Sequence, residues 1–254
     1  MTTPIFKGID YSMSRPRISQ LAPAGIRFAV RYTSPGANPK NLTAAELKAL
    51  LAAGIAVAVV FESTAGRMKG GHSAGVYDAS IADAELKTLG LAGLPCYFAA
   101  DWDVQPGELA VCDAYLDGVA SVISRARTGV YGGLRIVRHA LDQNKAAYAW
   151  QTYAWSGGVW DARAQLRQVR NGVQVAGATV DLDEAHAADF GQWPRPVPRL
   201  PWTPGRKAHA AYGDTLGWHD QGQPLPFWGQ LSDRERAGWE AAAAKVAAAK
   251  AVTP

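Results

Sequence analysis

At 254 residues the chain can hold one barrel, or one medium domain with an appendage. Its 48% hydrophobic and 19% charged content excludes a disordered polyelectrolyte and fits a globular fold, and no apolar run reaches the roughly 18 residues that span a bilayer. The net charge of +4 is uneven: Lys and Arg number 18 against 17 Asp and Glu as far as Pro194, and 8 against 5 from Arg195 onward.

Met1 to Asp10 lacks the basic, apolar, small-residue order of a signal peptide. The chain is therefore expected to act inside a cell or to leave by a route without a cleaved signal. Ile5 to Asp10 is the first strand candidate, apolar and ending in an acid. Phe28 to Tyr32 is the second. Thr43 and Glu46 then form a capping-box pattern, Leu47, Leu50 and Leu51 share one helix face, and Gly54 ends the helix. Ile55 to Glu62 is β-branched and nearly continuous, as a strand buried on both faces should be. Gly70 to Gly75 reads as a loop carrying His72, followed by a helix from about Asp78 to Leu89. Pro95 to Asp103 is the fourth strand. Cys112, Leu116, Val119 and Ile123 mark a helix from about Gly107 to Arg125. Thr128 to Tyr131 is the fifth strand, with a shorter helix from about Leu134 to Gln143. Ala147 to Thr152, Ala164 to Val169 and Thr179 to Asp183 complete eight strands, the last three joined without convincing helices.

Alternating βα units favour a parallel sheet. The predicted fold class is α/β: an irregular, TIM-like (β/α)-barrel of five βα units then three strands, spanning residues 1–193. The proline-dense run at 194–206 reads as a linker. A small helical C-terminal appendage follows at 207–254, with a helix at Ala208 to Leu216 and another opened by Ser232 and Glu235 and running to about Ala249. Tyr212, Trp218, Trp228 and Trp239 are its expected docking residues. The basic excess there suits an anionic surface such as a cell wall or membrane, and equally a solubilising face; no nucleic-acid partner is expected.

In such barrels chemistry sits at the C-terminal strand ends. The residues at those ends are Asp10, Arg31 with Tyr32, Glu62, Asp101 with Asp103, Tyr131, Gln151, and Asp181 with Asp183. Buried carboxylates are costly unless paired or solvated, so a ring of them predicts a wet, acidic cleft. Asp101 and Asp103 are two apart, and an extended strand turns both to one face. Paired acids raise each other's pKa, and glycoside hydrolysis needs one protonated carboxyl beside one anionic one. Asp103 is the candidate acid, with Asp101, Asp10 and Asp181 or Asp183 assisting. Among the nine Trp residues, Trp102, Trp150, Trp155, Trp160 and Trp193 fall near strand ends or in later loops, and two of these are expected to offer flat faces to sugar rings. The five scattered His residues lack zinc-ligand spacing, Cys96 and Cys112 read as small core residues, and neither Ser63 nor Ser156 sits in a nucleophile elbow. No metal or cofactor is expected.

Taken together, GIDYS at Gly8 to Ser12, VRY at Val30 to Tyr32, VFE ending at Glu62 and YFAADWD at Tyr97 to Asp103 resemble a known family. So do GVYGG at Gly129 to Gly133, WQTYAWSGG at Trp150 to Gly158, VDLDEA from Val180, and DFGQW at Asp189 to Trp193. The family is a glycoside-hydrolase-like domain of actinobacteria and their phages, related to the family 25 muramidases. The resemblance covers Ile5 to Trp193. It implies a barrel of five βα units and three plain strands, a peptidoglycan-type polysaccharide as substrate, and Asp10, Asp101, Asp103 and Asp181 as active-site acids. Arg31, Tyr32, Glu62, Trp102, Tyr131, Gln151, Trp155 and Asp183 would line the substrate. The muramidases carry Asp-x-Glu where this chain has Asp101-x-Asp103. The shorter side chain withdraws a donor by on the order of 1.5 Å, and a displacement of about 1 Å can slow a reaction about a hundredfold. The tail segments AAYGDTLGW and GQPLPFWGQLSDRERAGWEAAA resemble a small module of phage and actinobacterial proteins, which implies a phage lysin or virion component that meets the wall. Three readings stay open at this level: a peptidoglycan glycosidase, a glycan-binding barrel with weak or no catalysis, and a scaffold whose basic tail is the interacting element.

Overall fold

The computed structural model describes residues 4–195, 204–215, 219–220, 223–224 and 233–251. The chain divides into two units, Met1–Val197 and Pro198–Pro254.

The first unit is a closed eight-stranded barrel. Its strands are β1 (Phe6–Asp10), β2 (Ile26–Thr33), β3 (Ala56–Phe61), β4 (Cys96–Ala99), β5 (Thr128–Gly132), β6 (Tyr148–Thr152), β7 (Leu166–Val175) and β8 (Ala178–Ala185). Strands β1 to β7 run parallel in sequence order; β8 is antiparallel to both its neighbours and closes the barrel. Four of the five crossovers from β1 to β6 contain an α-helix: α1 (Ala44–Ala52), α2 (Gly71–Thr88), α3 (Leu109–Ile123) and α4 (Leu134–Asp142). The first has only a 3-10 turn at Ile18–Gln20. None of the described helices is long and apolar enough to cross a membrane.

Two expectations change here. The Gly70 to Gly75 segment is no loop, because α2 begins at Gly71 and includes His72. Gly75 is there for packing. A Cβ on Gly75 would lie 2.0 Å from the Tyr115 carbonyl oxygen, and one on Gly118 would lie 2.2 Å from that of His72, so α2 and α3 meet backbone to backbone. The Thr43–Glu46 capping box forms only by half. The Thr43 hydroxyl accepts from the Glu46 amide at 3.2 Å, but the Glu46 carboxylate turns to Arg31 and Arg15, at 2.9 Å from each.

One apolar layer lies between barrel and helices; the second fills the barrel. Inside, large rings face small residues. Phe28 occupies the space over Gly8, where a Cβ would fall 2.3 Å from the ring, and Tyr97 does the same at Gly129, at 2.8 Å. Residues 189–193 close the end at which the parallel strands begin. Trp193 pairs with Val57 of β3, Phe190 is fully buried 4.7 Å from Phe28, and the Tyr97 hydroxyl donates to the Phe190 carbonyl at 2.7 Å.

In the second unit, α5 (Pro204–Thr215) begins within the run expected as linker, and α6 is Asp233–Ala251. Two-residue strands β9 (His219–Asp220) and β10 (Gln223–Pro224) pair antiparallel. Tyr212 and Trp239, expected as docking residues, pack tilted against each other at 5.6 Å, and His209 meets Trp239 edge-on at 5.1 Å. Leu216, Trp218, Trp228, Ser232 and most of the expected linker lie outside the described residues.

Gly8→Ala forces a methyl into the Phe28 ring. Urea unfolding is expected to show a loss of about 1–3 kcal/mol, partly restored by adding Phe28→Leu. An unchanged midpoint for Gly8→Ala refutes the interior packing described.

Candidate functional site

Acidic side chains gather at the mouth where the parallel strands end. Asp10 closes β1, and the antiparallel register sets Asp181 of β8 directly beside it, with Asp183 two residues deeper, opposite Gly8. Asp181 and Asp183 therefore reach this mouth from the early and middle part of an antiparallel strand, not from a parallel strand's end. A bulge in β7 interrupts its pairing with β8 between Arg170 and Val173. It turns the Gly172 amide onto Asp181, which accepts at 2.8 Å, in keeping with the use of bulges to re-aim groups beside sites.

Gln168 of β7 joins these acids. Its amide nitrogen donates to Asp10 at 2.8 Å and to Asp181 at 3.1 Å. Its oxygen accepts from the Tyr131 hydroxyl at 2.9 Å, which fixes the amide orientation. The Tyr32 hydroxyl donates to the other Asp10 oxygen at 2.9 Å, and the Trp150 indole donates to Asp183 at 2.9 Å. Gln168 was not among the candidates read from the sequence. It lies inside a recognised strand, two residues after the barrel-facing Leu166, so period-two alternation alone could have singled it out.

Burial divides the acids. Asp10 and Asp183 are each only 2% exposed; Asp181 and Asp101 are half-buried. Burial, with the Asp181 charge adding, pushes Asp10 up to about 7 against the opposing bonds from Gln168 and Tyr32. Burial and the Asp10 charge hold Asp183 well above the usual carboxylate range. One buried Asp183 oxygen has no donor partner, and the Asp10 carboxyl lies close enough for the two charges to act on each other. A proton on Asp183, donated to Asp10, satisfies both groups, as in other paired carboxyls. Burial also raises Asp181, opposed by the Gly172 amide. Asp101 is raised by burial and then by the charge of Glu62, with Lys40 opposing. Glu62 stands at the same mouth, paired with Lys40 at 2.9 Å.

Other candidates lie elsewhere. Arg31 is fully buried on the outer side of β2, bound to Glu46 and to the carbonyls of Tyr11 and Lys40 and stacked 4.0 Å from the Tyr11 ring; it fastens α1 to the barrel. The Gln151 side chain braces the β6–β7 loop, donating to Ser156 and Val159 and accepting from the Asp161 amide. Trp102 packs on the outer core and donates to Glu108 at 2.9 Å. Asp103 is 54% exposed and faces Arg135 at 3.5 Å, outside the acid group. β4 ends at Ala99, so the strand geometry expected to align Asp103 with Asp101 does not extend that far. Trp150 lies within the barrel and Trp193 at its opposite end; Trp155, 42% exposed beside Gly133, is an exposed aromatic in the loop after β6, as is Tyr153.

The family "Rv2525c-like, glycoside hydrolase-like domain" matches residues 19–187. The chain belongs to this family. A curated relative, "Putative peptidoglycan hydrolase Rv2525c" of Mycobacterium tuberculosis, is 29% identical over 203 residues, covering 73% of this chain and 82% of its own. The crystal structure of the M. tuberculosis Tat-secreted protein Rv2525c with L-tartrate matches with a TM-score of 0.69 and 28% identity, over 74% of this chain and 99% of that one. The modular autolysin LytC of Streptococcus pneumoniae, solved with a synthetic peptidoglycan ligand, shares the barrel fold (TM-score 0.53, 15% identity, 70% of this chain and 46% of that one).

The raised acids make stability pH-dependent. Asp10 takes up its proton near 3.8 without the fold's influence and near 7 within it. Between these values the folded state binds more protons, so stability falls as pH rises through that window and stays low above it. Asp183 acts in the same direction. Asp183→Asn supplies a permanent N–H where the proton sits. It is expected to be more stable than the parent at about pH 8, by on the order of 1–2 kcal/mol, with the gap closing near pH 4. Urea unfolding across pH measures this; a variant equally destabilised at both ends contradicts the protonated pair.

Proposed function

We propose that this protein is a glycoside hydrolase acting on the glycan of bacterial peptidoglycan, with Asp101 as proton donor and Asp181 as the stabilising carboxylate. The observation that carries this reading is the presence of two half-buried, water-accessible carboxyls, Asp101 and Asp181, at one barrel mouth beside the buried acids Asp10 and Asp183. Glycosidic cleavage requires a protonated carboxyl at the leaving oxygen and an anionic one near the anomeric carbon. Asp101 has the environment for the first role: it is partly desolvated and faces Glu62 and Asp181. Asp181 keeps two donors, Gly172 and Gln168, that favour its charged form. In the reaction Asp101 passes its proton to the bridging oxygen as the C–O bond breaks, and Asp181 offsets the positive charge that develops on the sugar ring.

Asp10 and Asp183 are too buried to meet a sugar. They act as positioning residues, and Gln168 transmits their geometry to Asp181. Tyr32, Tyr131 and Glu62 complete the wall of the mouth. The relative's description as a peptidoglycan hydrolase and its Tat secretion support a wall polymer as substrate and the cell wall as place of action. The tail's likeness to a phage and actinobacterial module supports a phage lysin or virion component as the setting.

Release of reducing ends from purified actinobacterial cell wall tests the assignment. Asp101→Asn is expected to lower the rate by about 10²–10⁴-fold, whereas Asp103→Asn lowers it by no more than about tenfold. The reverse order moves the proton donor to Asp103. Wall that is pulled down by the parent protein but never cut identifies a binding barrel instead.

A further inference from the structure

A second feature adjoins the acid-lined mouth. A groove of roughly 350 Å³ runs between the start of α4, the start of α3 and the β6–β7 loop. Trp155, Leu109 and Leu134 form its apolar side, and Arg135, Arg138 and His139 its basic side. Trp155 has a left-handed backbone, with φ of 55°. For a bulky residue this is strained, and such strain persists where the surroundings over-determine it. They do so here. The Ser156 hydroxyl accepts from the Leu134 amide at 3.0 Å and donates to the Thr152 carbonyl at 2.6 Å. Gln151 holds Val159 and the Asp161 amide, at 2.8 Å each. The loop is thus pinned on its inner side while a large indole face is presented outward.

The facing arginines keep unused binding capacity. Arg135 and Arg138 are three apart on one helix face and 43% and 48% exposed. Arg135 uses one terminal nitrogen on Asp103 and the Val104 carbonyl. Among the described residues Arg138 has one ion pair, to Asp161 at 3.6 Å, longer than a hydrogen bond. Neither makes the bidentate pairing that a guanidinium offers a carboxylate. The groove's own acid, Asp142, is occupied by Arg163 at 2.8 Å, and His139 is held by Asp113 at 2.9 Å. Asp103, paired to Arg135, lies two residues beyond Asp101, so the groove opens beside the rim over β4 and β5.

We propose that this groove is a subsite for the carboxylate-bearing peptide stem of the wall polymer, with Trp155 covering the stem's apolar face and Arg135 and Arg138 taking its carboxylates. The inference deepens the hydrolase reading and rests on it for the identity of the polymer. A peptidoglycan strand bound at the mouth carries its peptides to the side. A basic, aromatic groove next to an acidic mouth separates the anionic branch from the acids that would repel it.

The test uses the full chain carrying Asp101→Asn, to prevent turnover, and three soluble probes: a disaccharide-peptide, the same disaccharide without peptide, and the free stem peptide. Calorimetry measures affinity. Fluorotryptophan NMR reports on Trp155, its resonance assigned by loss in Trp155→Phe. The disaccharide-peptide is expected to bind about tenfold more tightly than the bare disaccharide. Arg138→Gln and Arg135→Gln should each cut that preference to about twofold or less, and the free peptide should shift the Trp155 resonance. A preference unchanged in both variants, or a Trp155 resonance that no peptide-bearing probe moves, overturns the subsite. If the parent protein cuts wall and the preference is absent, the subsite fails and the hydrolase reading stands. If the parent cuts nothing while the free peptide shifts Trp155 in an arginine-dependent way, the subsite stands and the hydrolase reading fails.

Discussion

Asp10, Asp181 and Asp183 crowd together at the end of a closed barrel, and two of them have almost no access to water. Ionised acids in that setting repel one another and lose their hydration, each worth several kcal/mol in a dry interior. Raised proton affinity within the group relieves such crowding, and Gln168 donates to the two acids not bound by Trp150. The orientation of that amide depends on Tyr131, whose ring packs tilted against Trp150, centroids 4.4 Å apart. The electrostatics of the mouth are thus fastened to the aromatic packing of the interior. A change deep in the barrel would reach Asp181 through one side chain.

The reversed direction of β8 makes the cluster possible. Running antiparallel, it sets Asp181 level with Asp10 and Asp183 level with Gly8, so acids two apart stack along the barrel axis. The neighbouring bulge then supplies a backbone donor at Gly172 without spending a side chain. Gly8 has a complementary role below Asp10: its missing side chain admits Phe28, which fills the interior under the polar layer.

Much of this was legible in the residues. Continuous apolar runs such as Ile55 to Glu62 mark strands covered on both faces, and acids at their ends mark the mouth. Asp10, Asp101, Asp181 and Asp183 do come together there. Alternation also carries information that was left unused at Gln168. What the chain could not disclose by local pattern was partnership. Arg31 and Gln151 occupy strand-end positions like those of Tyr32 and Asp10, yet point outward, because inward and outward faces alternate and the register between strands is not written in either strand alone. Asp103 looked aligned with Asp101 only on the assumption that β4 continued past Ala99. The glycines of α2 disguised a helix as a loop, since the backbone contact that calls for Gly75 comes from Tyr115, forty residues on in the chain.

The segment around Phe190 and Trp193 seals the far end of the barrel, and the interior between is filled with rings. No polymer can thread through such a plug. On the proposed reading, a glycan can meet Asp101 and Asp181 from the open rim alone, so whatever part of the polymer enters must arrive and leave on the same side of the barrel.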